Sequence, residues 1–217
     1  GELTSLRKCS FLEIAKLRAY EYNRDSVPCN ICSIVETLSM LLPVLQTKLY
    51  IPPPRLNLVA RPSVTAKLRA GLQHPLTLIA APAGFGKTTL VSEWIAQTDQ
   101  PAAWLSLDDD DNDPTRFLNY LIAALQTQQP EIGTTALGLL DAPQTPAPKA
   151  ILTLLLNELG ARTTPLTLVL DDYHLITTLA IHEALAFLVD HLPPSFHLII
   201  TSRIDPPLPL ARCRVRN

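Results

Sequence analysis

The sequence predicts an α/β protein, a three-layer sandwich in which helices cover both faces of a mainly parallel sheet. Two observations carry that expectation. Short apolar runs rich in Leu, Ile and Val recur near residues 76–80, 102–107, 166–170 and 196–200. Such runs, too short for helices and not alternating with polar residues, suit strands buried on both faces. Between them lie stretches whose apolar residues recur at helical spacing. Strand–helix alternation of this kind calls for parallel strands joined by right-handed crossovers.

The elements follow in order. Leu76 to Ala80 reads as the first strand, bounded by Pro75 and Pro82, and is expected to be buried. Leu90, Val91, Trp94 and Ile95 then fall on one helix face. Ala102 to Leu107 forms the second strand and runs into the acidic stretch Asp108 to Asp111. That stretch reads as a solvated loop and helix N-cap ahead of Pro114, with a magnesium contact as the alternative. Phe117, Tyr120, Leu121, Ala124 and Leu125 mark the next helix. Residues 128–148, with Pro130, Pro143, Pro146 and Pro148, read as a loop. Ile151, Leu154, Leu155 and Leu159 mark another helix, and Leu166 to Leu170 the third strand, which ends in Asp171 and Asp172. Ile181, Ala184, Leu185, Leu188, Val189 and Leu192 give the last helix before a strand from Phe196 that finishes in Thr201, Ser202 and Arg203. No internal repeat appears.

Chemistry concentrates where strands end. Residues 81–89 read Ala-Pro-Ala-Gly-Phe-Gly-Lys-Thr-Thr, a small residue, four spacers and then Gly-Lys-Thr, between a strand and a helix. This is the pattern of a phosphate-binding loop, with Ala81 where many such loops carry Gly. Gly84 and Gly86 allow the backbone to turn its N–H groups toward phosphate oxygens, so Ala83, Gly84, Phe85, Gly86, Lys87, Thr88 and Thr89 are the candidate nucleotide-binding residues. Lys87 offers a mobile point charge to the β- and γ-phosphates, and the Thr88 hydroxyl is a ligand for the accompanying Mg2+. A carboxylate at the end of the third strand can hold that metal, which assigns Asp171. Its neighbour Asp172 can orient and deprotonate an attacking water. Arg203, at the end of the fourth strand, can sense the γ-phosphate or stabilise charge developing on it. Catalytic candidates are therefore Asp172, Lys87 and Arg203; metal candidates are Thr88 and Asp171.

Taken together, Ala81 to Thr89, Trp104-Leu105-Ser106-Leu107-Asp108 and Asp171-Asp172-Tyr173-His174-Leu175-Ile176 resemble the ATPase module of MalT-like, LuxR-type transcriptional regulators, within the signal-transducing ATPases with numerous domains. The stretch from Lys48 to Arg55, followed by Val59, Ala60, Arg61 and Pro62, resembles that family's lead-in, and the match runs from about Met40 to Asn217. The resemblance implies a P-loop NTPase fold of RecA/AAA-like strand order, with the strand ending near Arg203 between the loop strand and the Asp171 strand. It implies an ADP-bound inactive form, an ATP-bound form that self-associates, and slow ATP hydrolysis as the reset. It also implies that Val59 and Arg61 lie against the adenine. DNA and RNA polymerase would be engaged only through carboxy-terminal domains expected beyond Asn217, where a fifth strand and a winged helix are also expected.

Composition fits that expectation. The chain has 217 residues, long enough for one sizeable core, and 47% hydrophobic content. A net charge of −2 gives no sign of a nucleic-acid-binding surface. No apolar run is long enough to span a bilayer, and four cysteines make no disulfide framework, so a cytoplasmic setting without membrane partners is expected. Cys29 and Cys32 have metal-ligand spacing but no second ligand pair. Residues 1–39 are expected to be a non-family extension, disordered or read from upstream sequence, since the single Met is Met40. Residues 40–75 form the lead-in and 76–217 a partial NTPase domain. A stand-alone nucleotide-dependent enzyme such as a small-molecule kinase, or a signalling scaffold NTPase of another kind, is the alternative; no basic lid cluster or acceptor base is visible for the kinase.

Overall fold

Four parallel strands, β1 (Leu76–Ala80), β2 (Ala102–Ser106), β3 (Leu166–Asp171) and β4 (Phe196–Ser202), lie side by side in the order β1-β4-β3-β2. The computed structural model describes residues 43–53, 62–71, 74–98, 100–142 and 144–209. The expected order holds: β4 is inserted between the loop strand and the Asp171 strand. Leu78 pairs with Ile200, Leu168 with Leu198, and Trp104 with Val169.

The register sorts side chains by face, because successive residues of a strand point to opposite sides. On one face Ala103, Leu105, Leu168, Leu170, Leu198 and Ile200 meet the buried sides of α3 (Pro114–Gln126), α5 (Pro148–Gly160) and α6 (Leu179–Asp190). On the other, Trp104, Val169 and Ile199 meet Val91, Trp94 and Ile95 of α2 (Lys87–Ala96) and Leu68 of α1 (Pro62–Gly71). This is the three-layer sandwich expected. Burying each large apolar side chain of these two clusters contributes about 1.5–3 kcal/mol.

Three local expectations need correction. First, β1 is only half-buried along most of its length. Its apolar run therefore does not report two fully covered faces, unlike that of β2, the other edge strand among the described residues. Second, the region read as a loop, 128–148, contains α4 (Thr134–Leu140). Its prolines all flank that helix, and Ala136 and Leu140, one turn apart, are buried against the core. Gly133 starts it in the left-handed region (φ 71°), and its N–H donates to Glu158 Oε2 at 2.6 Å.

Third, the acidic stretch after β2 is not simply solvated. Asp108 caps a 3-10 turn, Asp109–Asn112, and Asp113 caps α3, its carboxylate accepting from Arg116 N at 2.8 Å with Pro114 in the first turn. Asp111, however, is fully buried. It is ion-paired with the buried Lys48, which also meets Asp108 at 2.9 Å and lies 4.6 Å over the Tyr120 ring. Arg116 Nε approaches Asp111 from the other side at 3.3 Å. Lys48 belongs to a 3-10 turn in the lead-in, Gln46–Leu49, which packs on β2 with Leu49 buried. The expectations for residues 1–39, for Cys29 and Cys32, and for the last eight residues lie outside the described residues. No described helix is long and apolar enough to cross a membrane.

Candidate functional site

The loop after β1 takes its shape from two glycines. Gly84 (φ 82°) and Gly86 (φ 76°) adopt left-handed conformations that L side chains rarely take, while a Cβ at either position would meet open space. Conformation, not crowding, is what requires glycine there. Gly86 is the N-cap of α2 and brings no capping side chain. The first-turn N–H groups of α2 therefore have no intrahelical acceptors, and the positive end of the helix dipole points at the loop. Together these features make an anion cradle. Lys87 folds back over the loop, donating to Ala81 O at 2.9 Å and to Pro82 O at 3.4 Å. Those carbonyls hold the ammonium at the loop.

Facing the loop are the carboxyl ends of β3 and β4. Asp171 is buried at the last position of β3. Thr88 Oγ1 donates to its Oδ2 at 2.9 Å, and Thr201 Oγ1 from β4 donates to its Oδ1. Burial pushes the Asp171 carboxyl above its ordinary value; the Thr201 and Thr88 hydroxyls pull it down, and Asp172 adds a further upward push. A hydroxyl and a buried carboxylate side by side are hard oxygen donors, the set Mg2+ takes alongside phosphates and water. A cation there would also offset the burial that disfavours the charged carboxylate. The donor set thus fits the expected metal.

Asp172 leaves the strand in a left-handed conformation (φ 58°), alone among the described non-glycine residues. Asp tolerates that region better than most residues. Its N–H donates to Thr201 Oγ1 at 3.1 Å, and its side chain is 40% exposed, so one face is open to solvent. Arg203, exposed, is the first residue past β4. Ala83, Gly84, Gly86, Lys87, Thr88, Thr89, Asp172 and Arg203 line one open pocket of about 260 Å³. Asp171 sits against Thr88 at its margin. Phe85, though in the loop, is exposed and absent from the lining. Val59 and Arg61, expected at the adenine end, lie outside the described residues.

Sequence reasoning gave no role to Thr201, nor to Tyr173 and His174 beyond their place in the family motif. Thr201 is fully buried and ties both acidic residues to β4. No local pattern marks it, because its bonds to both acids exist only once β3 and β4 pair. Tyr173 is buried, its hydroxyl 2.7 Å from His182 Nδ1 in α6. Nothing in the local sequence announces that pairing, because the two meet only once the turn packs on the helix.

The residues agree with relatives. A family model described as an AAA ATPase domain matches residues 59–201. The HTH-type transcriptional regulator MalT of Serratia proteamaculans (strain 568) is 43% identical over 178 residues, which is 82% of this chain and 19% of that protein. MalT of Yersinia enterocolitica is 42% identical over the same shares. The chain thus spans about a fifth of the length of these curated relatives. Among solved structures, Cdc6p from Pyrobaculum aerophilum aligns with a TM-score of 0.51 at 17% identity, over 76% of this chain and 45% of that one. At that identity the likeness concerns the fold.

Proposed function

We propose that this chain, which belongs to the AAA ATPase domain family as a MalT-like ATPase module, binds ATP and ADP with Mg2+ and hydrolyses ATP slowly to reset a switch. The observation that carries the reading is the cradle formed by the loop at 81–86 and the start of α2, with the Thr88 hydroxyl bonded to Asp171 opposite it. In the roles we assign, the loop N–H groups and Lys87 hold the phosphates. Thr88 and Asp171 hold Mg2+, which when bound neutralises phosphate charge. Asp172 orients a water and takes its proton as the water oxygen bonds to the γ-phosphorus and the bond to the bridging oxygen breaks. Arg203 meets the γ-phosphate from the rim, so it distinguishes ATP from ADP. Val59 and Arg61 contact the adenine.

In a longer protein built like the MalT relatives, the ADP form would be inactive and the ATP form would self-associate in the cytoplasm. Promoter DNA and RNA polymerase would be engaged by other domains. Residues 40–75 act as a lead-in to the NTPase domain that follows, and residues 1–39 are an extension outside it. Asp172→Asn tests the reading. It should bind MgATP and MgADP like the parent and lose most hydrolysis, a fall of about 10²–10⁴-fold, since an amide accepts a hydrogen bond but takes no proton. Parental turnover by Asp172→Asn, measured as phosphate release, would remove Asp172 from the chemistry.

A further inference from the structure

We propose that His174 is a positioning residue that holds the Asp172 carboxylate in its hydrolytic orientation, an inference that rests on the function proposed above. His174 sits in the 3-10 turn Tyr173–Leu175 immediately after Asp172. Its side chain is only 10% exposed, and neither ring nitrogen has a hydrogen-bond partner. A buried polar group left unsatisfied is costly. An apolar side chain would fill this place without that cost, so the imidazole points to a polar role here.

The partner within reach is Asp172. Its Oδ1 lies 3.7 Å from His174 Nδ1, beyond hydrogen-bond length but closed by a modest rotation of a side chain with an open face. The backbones on either side are already fixed. Asp172 N is bonded to Thr201 Oγ1 at 3.1 Å, Leu175 N to Asp172 O at 3.1 Å, and Ile176 N to Tyr173 O at 3.1 Å. The buried Tyr173 hydroxyl is 2.7 Å from His182 Nδ1 on α6. With the turn pinned at so many points, the Asp172 carboxylate is the group left to move.

The chemistry suits that task. Burial, followed by the charges of Asp172, Arg203, Lys87 and Asp171 acting in opposing directions, leaves the His174 imidazole below its ordinary value. It is therefore neutral near pH 7, with one N–H donor and one acceptor nitrogen. An Nδ1–H donated to Asp172 Oδ1 leaves Oδ2 directed into the pocket, where it can accept the proton of a water. His174 itself exchanges no proton in this arrangement. It acts through Asp172, as an outer partner fixes the orientation of a functional carboxylate or imidazole elsewhere.

The test is single-turnover hydrolysis of γ-labelled MgATP by the full chain, with calorimetric MgADP binding measured beside it. His174→Ala should slow turnover by about 10- to 100-fold, the scale of a misplaced reacting group, with MgADP affinity within about twofold of the parent. His174→Asn, whose amide N–H reaches toward the place of Nδ1–H, should recover most of the rate. Added to Asp172→Asn, His174→Ala should have no further effect, because the two act as one unit. Nitrogen-15 NMR of the histidine rings gives a readout without nucleotide: His174 should carry its proton on Nδ1, with a shift that changes in Asp172→Asn. Parental turnover by His174→Ala, multiplying effects in the double variant, or MgADP affinity falling with the rate would each overturn the proposal. If the parent binds MgATP without measurable turnover, the NMR decides, and an Nε2–H form insensitive to Asp172→Asn overturns it. Parental turnover by Asp172→Asn would instead defeat the proposed function itself.

Discussion

At the scale of single residues, the site depends on backbone conformation as much as on side-chain chemistry. Gly86 shows this most clearly. Its φ of 76° is one that side chains with a Cβ rarely adopt, while the space around it is empty. Gly86→Ala should therefore cause no clash and still cost about 1–2 kcal/mol in strain. We expect that cost as weaker MgADP binding, about 5- to 30-fold, with little change in fold. Unchanged affinity by calorimetry would mean that the loop opens another way to its ligand. The glycine and lysine positions were legible in the sequence because the loop's demands are local: a turn, a charge and a hydroxyl in fixed order. Thr201 was not. Its bonds to Asp171 and Asp172 cross from one strand to the next, and only the β3–β4 register brings them together.

Among the elements, the strands and the four longer helices after β1 were readable, because their apolar periodicity is set by what they bury. The short helix Thr134–Leu140 was hidden by its flanking prolines, which dominate a composition-based reading of that stretch. The lead-in was hidden for a different reason. Lys48 and Asp111 look like ordinary surface charges, yet both are buried and paired 63 residues apart. A pair of this kind contributes little net over an apolar replacement, but removing one partner strands the other. Lys48→Ala should cost about 3 kcal/mol, near the lower end for a broken buried pair since Arg116 still faces Asp111. Urea unfolding should show a lower midpoint with an unchanged slope. A midpoint equal to the parent's would mean that the lead-in contributes nothing to the domain it packs on.

For the whole molecule, the charge balance sets a limit on partners. Eighteen basic residues are offset by twenty acidic ones, and no basic patch or recognition helix is visible in the sequence. Specific DNA binding needs an element in a groove and several Lys or Arg contacts to phosphate. The chain by itself should therefore not retard promoter DNA in a low-salt mobility-shift assay, with or without ATP; sequence-specific retardation would overturn the assignment of DNA contact to other domains. The sheet order and the sandwich were expected from strand–helix alternation together with the family resemblance, and strands that meet in this order bring the loop, Asp171, Asp172 and Arg203 to one end of the sheet. What the molecule as a whole is proposed to do rests on that convergence. Calorimetric titration of MgATP and MgADP into the chain and into Lys87→Ala tests it most directly. Both nucleotides should bind the parent, and losing the charged phosphate contact, worth about 1.5–3 kcal/mol, should weaken binding by roughly 10- to 150-fold. Equal affinity in parent and variant, or no binding to the parent, would contradict the account.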